Sequence, residues 1–205
     1  MLKAIIFDFD GVLGDTWAMN MEVTKLIHPD IKEQDLKDFH NGNVHAGGFK
    51  LSFSKEQADF FFQEMHRRFE KKHLFPLKDE IKLLAKKYNL FIVSSSSEVN
   101  LQKYLECGDL LQDFVGFFGP ETDRSKVAKF NMIFEKNNLL PEECLFFTDT
   151  LGDLKEANEV NLSSVAVTWG YQDYDNLQKG NPYKIISKFE EFLPVIEEFE
   201  DKKVE

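Results

Sequence analysis

The sequence predicts an α/β protein built on a parallel β-sheet with helices on both faces, and three observations carry that reading. Short β-branched and aromatic runs alternate with amphipathic stretches along most of the chain. Three of those runs end in polar residues: Asp8 and Asp10, Ser94, and Asp149. Between the first run and the second, residues 17–76 show helical spacing and no convincing strand. Strands alternating with helices imply right-handed crossovers, and such sheets bind ligands at the carboxyl ends of their strands, where strand order reverses.

The first run, Ala4-Ile5-Ile6-Phe7, reads as a buried strand because it is short, apolar and bounded by a breaker at Gly11. Asp8 and Asp10 belong where this strand leaves the sheet. Two apart on extended chain, they point to one side. Two like charges brought together are costly unless a cation lies between them, so the pair marks a metal site or an acid/base pair.

After Thr16 the spacing becomes helical. Met19, Val23, Leu26 and Ile27 form one apolar face, broken at His28-Pro29. A short amphipathic piece covers 31–39, and Asn41 to Gly48 is a loop by composition. Ser54 opens a longer helix, with Gln57 in the capping position and Phe60, Phe61, Met65 and Phe69 at helical spacing. Pro76 ends the block. From there the expected elements are a helix at 77–87, a strand at 90–93, a helix at 98–106 and a weak strand at 114–118. A helix at 125–137, a strand at 144–147, a helix at 154–160, a strand at 164–167 and a helix at 189–199 follow. The chain thus divides into a core of residues 1–16 and 77–205 and an inserted helical unit of residues 17–76.

Composition narrows the function. The 205 residues are 42% hydrophobic and include 21 Phe, enough for one core with an insertion. Asp plus Glu number 36 against 25 Lys plus Arg, a formal charge of -11, so a nucleic-acid backbone is not the expected partner. No apolar stretch is long enough to span a bilayer, and Asp8 and Asp10 interrupt the N-terminal run before it resembles a signal peptide. Cys107 and Cys144 are expected as reduced core thiols in a cytoplasmic protein, a monomer or dimer.

Four stretches, in order, resemble the motifs of the haloacid dehalogenase superfamily. Phe7-Asp8-Phe9-Asp10-Gly11-Val12-Leu13 resembles its first motif and Val93-Ser94 its second. A lysine near Ser125-Lys126 resembles the third, and Thr148-Asp149-Thr150-Leu151-Gly152-Asp153 the fourth. Val167-Thr168-Trp169-Gly170-Tyr171 is similar to the phosphoglycolate phosphatase and β-phosphoglucomutase branch, which carries a helical cap between motifs one and two. The chain departs from the pattern at Val12, where the family usually has Thr, and lacks the Lys-Pro pair of motif three.

The resemblance implies a Rossmann-like core with a helical cap and an Mg²⁺-dependent phosphatase acting on a small phosphorylated metabolite. Asp8 is then the nucleophile and Asp10 the acid/base, with Asp8, Asp10 and Asp149 around the metal. Asp153 either ligates the metal or orients its neighbours, the latter being favoured. Ser94, with Ser95 beside it, would bind the phosphoryl group, and Lys126 would place a positive charge on it, Lys129 and Arg124 being alternatives. His45 is a substrate-binding candidate in the cap loop. Asp15 is expected to brace the turn after the first strand, and Trp169 to pack beneath the site. The alternatives are a phosphomutase using the same chemistry, or a non-catalytic binding protein on the same fold. A dehalogenase is disfavoured because that chemistry dispenses with the second aspartate, present here as Asp10.

Overall fold

The computed structural model describes residues 1–44 and 51–202. Among them, six parallel strands form one sheet in the order β3-β2-β1-β4-β5-β6. They are β1 (Ala4–Phe7), β2 (Asn89–Val93), β3 (Gly116–Phe118), β4 (Cys144–Thr148), β5 (Ser164–Val167) and β6 (Lys184–Ile186). The helices are α1 (Trp17–Ile27), α2 (Glu33–Phe39), α3 (Lys55–Arg68), α4 (Lys78–Leu84), α5 (Glu98–Gly108), α6 (Lys126–Asn137), α7 (Leu151–Glu159), α8 (Tyr174–Leu177) and α9 (Phe192–Asp201).

β1 is fully buried because it lies at the centre, pairing Phe7 with Ile92 on one side and with Phe147 on the other. Its side chains alternate between two cores, as the pleat requires. Ile5 and Phe7 join Ile92, Phe147 and Phe192 on one face. Ala4 and Ile6 join Phe91, Val93, Phe130 and Phe146 on the other. Phe7 stacks on Phe147 and Phe192 at 5.4 and 6.0 Å. Each such ring contributes about 1.5–3 kcal/mol by leaving water.

Strand order reverses between β1 and β4, so the crevice at their carboxyl ends is the predicted ligand position. Asp8 follows β1 and Asp149 follows β4 directly. The chain leaves and re-enters this edge side by side. Asp15 N–H donates to the His73 carbonyl at 2.7 Å, and Phe75 N–H to that of Leu13 at 2.9 Å. Only helical elements occur between β1 and β2 among the described residues.

Several expected boundaries shift for identifiable reasons. The Ser54–Gln57 capping box forms reciprocally, starting α3 at Lys55. α7 begins at Leu151 because the Thr150 hydroxyl caps it, so Asp153 lies in its first turn while Asp149 lies outside the helix. The 77–87 helix shortens to α4, and the 114–118 strand to β3. The last helix starts at Phe192, after a 3₁₀ turn over Phe189–Glu191. Leu26 and Phe60 are exposed rather than packed. β6 and α8 were not anticipated, because a three-residue edge strand and a one-turn helix carry too little periodicity to register. Cys107 and Cys144 are free, and no helix is long and apolar enough to cross a membrane among the described residues.

Candidate active site

The turn after β1 aims its carboxylates by turning its apolar residues inward. Phe9 is buried against Tyr104 and Phe69 at 5.0 and 6.0 Å, and Val12 is buried in the same core. The Phe9 carbonyl accepts from the N–H groups of Val12, Leu13 and Gly14. Gly11 adopts φ +74°, and a Cβ there would stand 1.9 Å from Asp149 Oδ2. Both facts require glycine at this close approach of β1 and β4. Asp15 is exposed, and its backbone rather than its side chain ties the turn to His73.

The side chains of Asp8 and Asp10 meet different partners. Asp8 Oδ1 accepts from Phe9 N–H at 2.7 Å, and Oδ2 pairs with Lys126 Nζ at 2.9 Å. Asp10 accepts two hydroxyls, from Thr16 Oγ1 at 2.8 Å and Ser96 Oγ at 2.6 Å. Thr16 also meets the Tyr171 hydroxyl at 3.0 Å, to which Asn20 Nδ2 donates at 3.1 Å. Ser96 supplies the short hydroxyl bond to Asp10, and the Ser94 side chain also acts on that carboxylate. The Ser94 hydroxyl accepts from Ser96 N–H, and both Ser94 and Ser95 line the cavity.

Among the three cations weighed for the third motif, Lys126 reaches Asp8. Ser125 caps α6 by accepting from Ala128 N–H, which places Lys126 in the first turn. The Lys126 ammonium is buried between Asp8 and Asp153, at 2.9 and 2.6 Å. Asp153 Oδ2 also accepts from Thr148 Oγ1 at 2.7 Å. Lys129 instead ties the Ser94 and Gly119 carbonyls together, and Arg124 is exposed. Trp169 donates to the Val12 carbonyl at 3.3 Å and packs on Phe189, beneath the turn.

Electrostatics separate these acids. Burial raises the Asp8 pKa to about 8 against the pull of Lys126, with Asp153 and Asp10 adding to the rise. Burial disfavours the charged forms of Asp153 and Lys126 too, yet their attraction wins: Asp153 is held below the usual carboxylate range and Lys126 above the usual amine range. Burial also raises Asp10, opposed by the Ser96 and Thr16 hydroxyls. Asp149 is fully buried and pushed well above the usual range by burial and by Asp8. Its Oδ2 accepts Tyr171 N–H at 2.6 Å, while its Oδ1 is buried with no hydrogen-bond partner among the described residues.

An orphaned buried carboxylate oxygen beside a second raised carboxylate fits a hard divalent cation with oxygen ligands. Among the described residues no three His, Cys, Asp or Glu side chains group as a metal site. That agrees with the hydroxyls engaging both Asp10 oxygens and with Lys126 and Thr148 engaging Asp153. Asp149 Oδ1 is the unpartnered oxygen that such an ion would take up, with the Asp8 carboxylate near it.

A cavity of about 690 Å³ opens over these residues and is lined from the 17–76 segment as well. That segment rests on α7 and the loop after β5. Gly152 N–H donates to the His40 carbonyl at 3.1 Å, and Gln172 Nε2 to Asn41 Oδ1 at 3.0 Å. Asn43 Nδ2 donates to Glu156 Oε1 at 2.9 Å, and Lys126 N–H shares that acceptor at 2.9 Å. His45 lies outside the described residues, as do residues 46–48 of the same loop. Sequence reasoning passed over Ser96, Thr16 and His40. Ser96 carried one available signal, a hydroxyl in the turn directly after β2, and Thr16 another, a hydroxyl directly before α1; nothing local marks His40.

Comparison with known proteins gives the family and the fold. Residues 5–167 match the model of the haloacid dehalogenase-like hydrolase family. The phosphoglycolate phosphatase of Synechococcus elongatus is 26% identical over 192 residues, covering 88% of this chain and 91% of that protein. A haloacid dehalogenase-like hydrolase from Streptococcus pneumoniae superposes with a TM-score of 0.75 at 22% identity, covering 95% of this chain and 98% of that one. A β-phosphoglucomutase from Clostridium difficile superposes with a TM-score of 0.73 at 22% identity, over 100% of both chains. The structural likenesses carry the fold.

Proposed function

We propose that this chain, which belongs to the haloacid dehalogenase-like hydrolase family, is an Mg²⁺-dependent phosphatase that hydrolyses a small phosphomonoester through an aspartyl-phosphate on Asp8. The observation that carries the reading is the Lys126 ammonium held between Asp8 and Asp153 at the strand end, with Asp10 two residues away. The phosphoglycolate phosphatase relative supports the substrate class.

In this reading residues 17–76 are the cap and the remainder is the core. An Mg²⁺ ion would be held by Asp8 and Asp149 and, as the family resemblance implies, by the Asp10 backbone carbonyl, and would supply charge neutralisation for the phosphoryl transfer. The Asp8 carboxylate attacks phosphorus as the ester P–O bond breaks. Asp10, held in place by the Thr16 and Ser96 hydroxyls, gives a proton to the departing alkoxide oxygen. Water then attacks the aspartyl-phosphate, Asp10 takes its proton, and the Asp8 carboxylate and inorganic phosphate are released. Lys126 draws charge from the phosphoryl oxygens and keeps Asp8 in place. Ser94 and Ser95 line the phosphoryl end of the cavity. Asp153 positions Lys126 through the same oxygen that Thr148 bonds. The protein works in the cytoplasm.

Phosphate release from a panel of phosphomonoesters, with and without Mg²⁺, tests this reading. Turnover is expected only with the ion and without any sugar bisphosphate present. Equal release from Asp8→Asn would remove Asp8 as nucleophile, and a requirement for a sugar bisphosphate would replace hydrolysis by a mutase reaction.

A further inference from the structure

The cavity has a second wall that the phosphoryl chemistry does not use. From Tyr171, whose hydroxyl meets Thr16 beside Asp10, a continuous series of ring contacts runs outward. Tyr171 meets His40 at 5.0 Å, His40 meets Phe39 at 5.5 Å, and Phe39 meets Phe53 at 6.2 Å. Phe53 meets Phe61 at 5.7 Å, and Phe61 meets Phe62 at 5.9 Å. All six line the cavity, and the four phenylalanines are half-buried rather than sealed in a core.

Half-buried rings grouped on one concave wall expose apolar surface that a hydrated, hydroxyl-rich or carboxylate-bearing group leaves wet. The cavity's polar residues near this wall, Ser52, Ser54, Lys55 and Asp59, are exposed. Where the wall meets the phosphoryl corner, His40 Nε2 is buried with no hydrogen-bond partner among the described residues. Burial holds the His40 pKa down at about 4, so the ring is neutral at physiological pH and offers no charge to an anionic leaving group. A volume of about 690 Å³ also exceeds what a two-carbon acid ester fills, and lies within the ~300–1,000 Å³ range of sites for larger ligands.

We propose that the phosphomonoester this site accepts carries an apolar ring on its leaving group, seated against the Phe39–Phe53–Phe61–Phe62 wall while its phosphoryl group meets Asp8 and Lys126. The inference rests on the phosphatase reading above and names its substrate class. The ring wall also separates this chain's expected preference from that stated in the name of the phosphoglycolate phosphatase relative.

Two paired measurements test it on the full chain with Mg²⁺. Phenethylphosphonate and ethylphosphonate, which are not hydrolysed, are compared by titration calorimetry. Phenethyl phosphate, ethyl phosphate and 2-phosphoglycolate are compared by kcat/KM, their alcohols being of similar leaving ability for the first two. The ring is expected to tighten binding about 10-fold or more, and to raise kcat/KM by a similar factor, mostly through KM. In Phe53→Ala, checked for folding by circular dichroism, the ratio between the two phosphonates is expected to shrink several-fold. Equal affinity of the two phosphonates, or higher kcat/KM for 2-phosphoglycolate than for phenethyl phosphate, overturns the ring site. A ratio unchanged in folded Phe53→Ala overturns its placement on this wall. Tighter phenethylphosphonate binding with no hydrolysis of any ester keeps the ring site and overturns the phosphatase reading instead.

Discussion

Lys126 is buried with Asp153 Oδ2 at 2.6 Å and Asp8 Oδ2 at 2.9 Å, so each group relies on the others for its charge. Truncating the lysine leaves two buried carboxylates side by side without their counter-charge, and that kind of loss costs about 3–5 kcal/mol. Lys126→Ala is therefore expected to lower the urea midpoint clearly, with added Mg²⁺ recovering part of it; an unchanged midpoint would contradict a tight triad. Asp8→Asn behaves differently. It removes one buried negative charge while keeping the shape, so folding is retained. Turnover should fall by about 10⁴-fold or more, as it does when a nucleophile is removed. Circular dichroism and phosphate release on one preparation separate the two effects.

At the scale of elements, two close approaches position the site. A Cβ on Gly170, after β5, would stand 2.2 Å from Asp149 Oδ2 and 2.4 Å from the Gly11 carbonyl. Gly170→Ala must then shift Asp149 or the turn after β1. The expected result is an Mg²⁺ affinity roughly 10–100-fold weaker by calorimetry, the size seen when the support of a metal ligand is lost. A Cβ on Gly152, in the first turn of α7, would stand 2.6 Å from the Gly42 carbonyl. Gly152→Ala should push the stretch around His40 and Asn43 off α7. A displacement of about 1 Å can cost around 10²-fold, so kcat/KM is expected to fall by that order while the Mg²⁺ affinity is kept. Loss of Mg²⁺ affinity in Gly152→Ala would mean that α7, not the overlying segment, had moved.

Across the whole molecule, the raised acids link stability to pH. The Asp8 pKa rises from the ordinary 3.8 to about 8 on folding. Its contribution is fully present below the unfolded value and is lost as pH rises through about 8. Asp10 and Asp149 shift in the same direction. His40 has the opposite sign: lowered from 6.5 to about 4, it contributes above 6.5 and loses that contribution as pH falls towards 4. Under the proposed function Mg²⁺ competes with protons for Asp8 and Asp149, so the difference in Tm with and without the ion isolates the acids. That difference is expected to grow as pH rises from about 4 to about 8. A difference that stays flat or shrinks would place the ion elsewhere.

The parallel sheet, most of its elements in order and the strand-end aspartates were legible in the sequence, because short continuous apolar runs alternating with amphipathic stretches are local features of it. Ala4 to Phe7 reads as a buried strand, and Asp8 as the residue where it leaves the sheet; its central place comes from the pairing with β2 and β4. The choice among Lys126, Lys129 and Arg124 was not legible. All three are cations within one stretch, and only the Ser125 cap and the approach of α6 to β1 decide which ammonium lies between Asp8 and Asp153. That Ser96 bonds Asp10 was not legible either, since it depends on which hydroxyl the turn after β2 presents to that carboxylate. The aromatic wall is the furthest from sequence: Phe61 reads as one position of a helical apolar face, nothing local marks Phe39 or Phe53, and packing outward from Tyr171 and His40 joins the three into one face of a cavity. Local chemistry therefore determined which residue types reach the sheet edge, while long-range packing determined which of them meet.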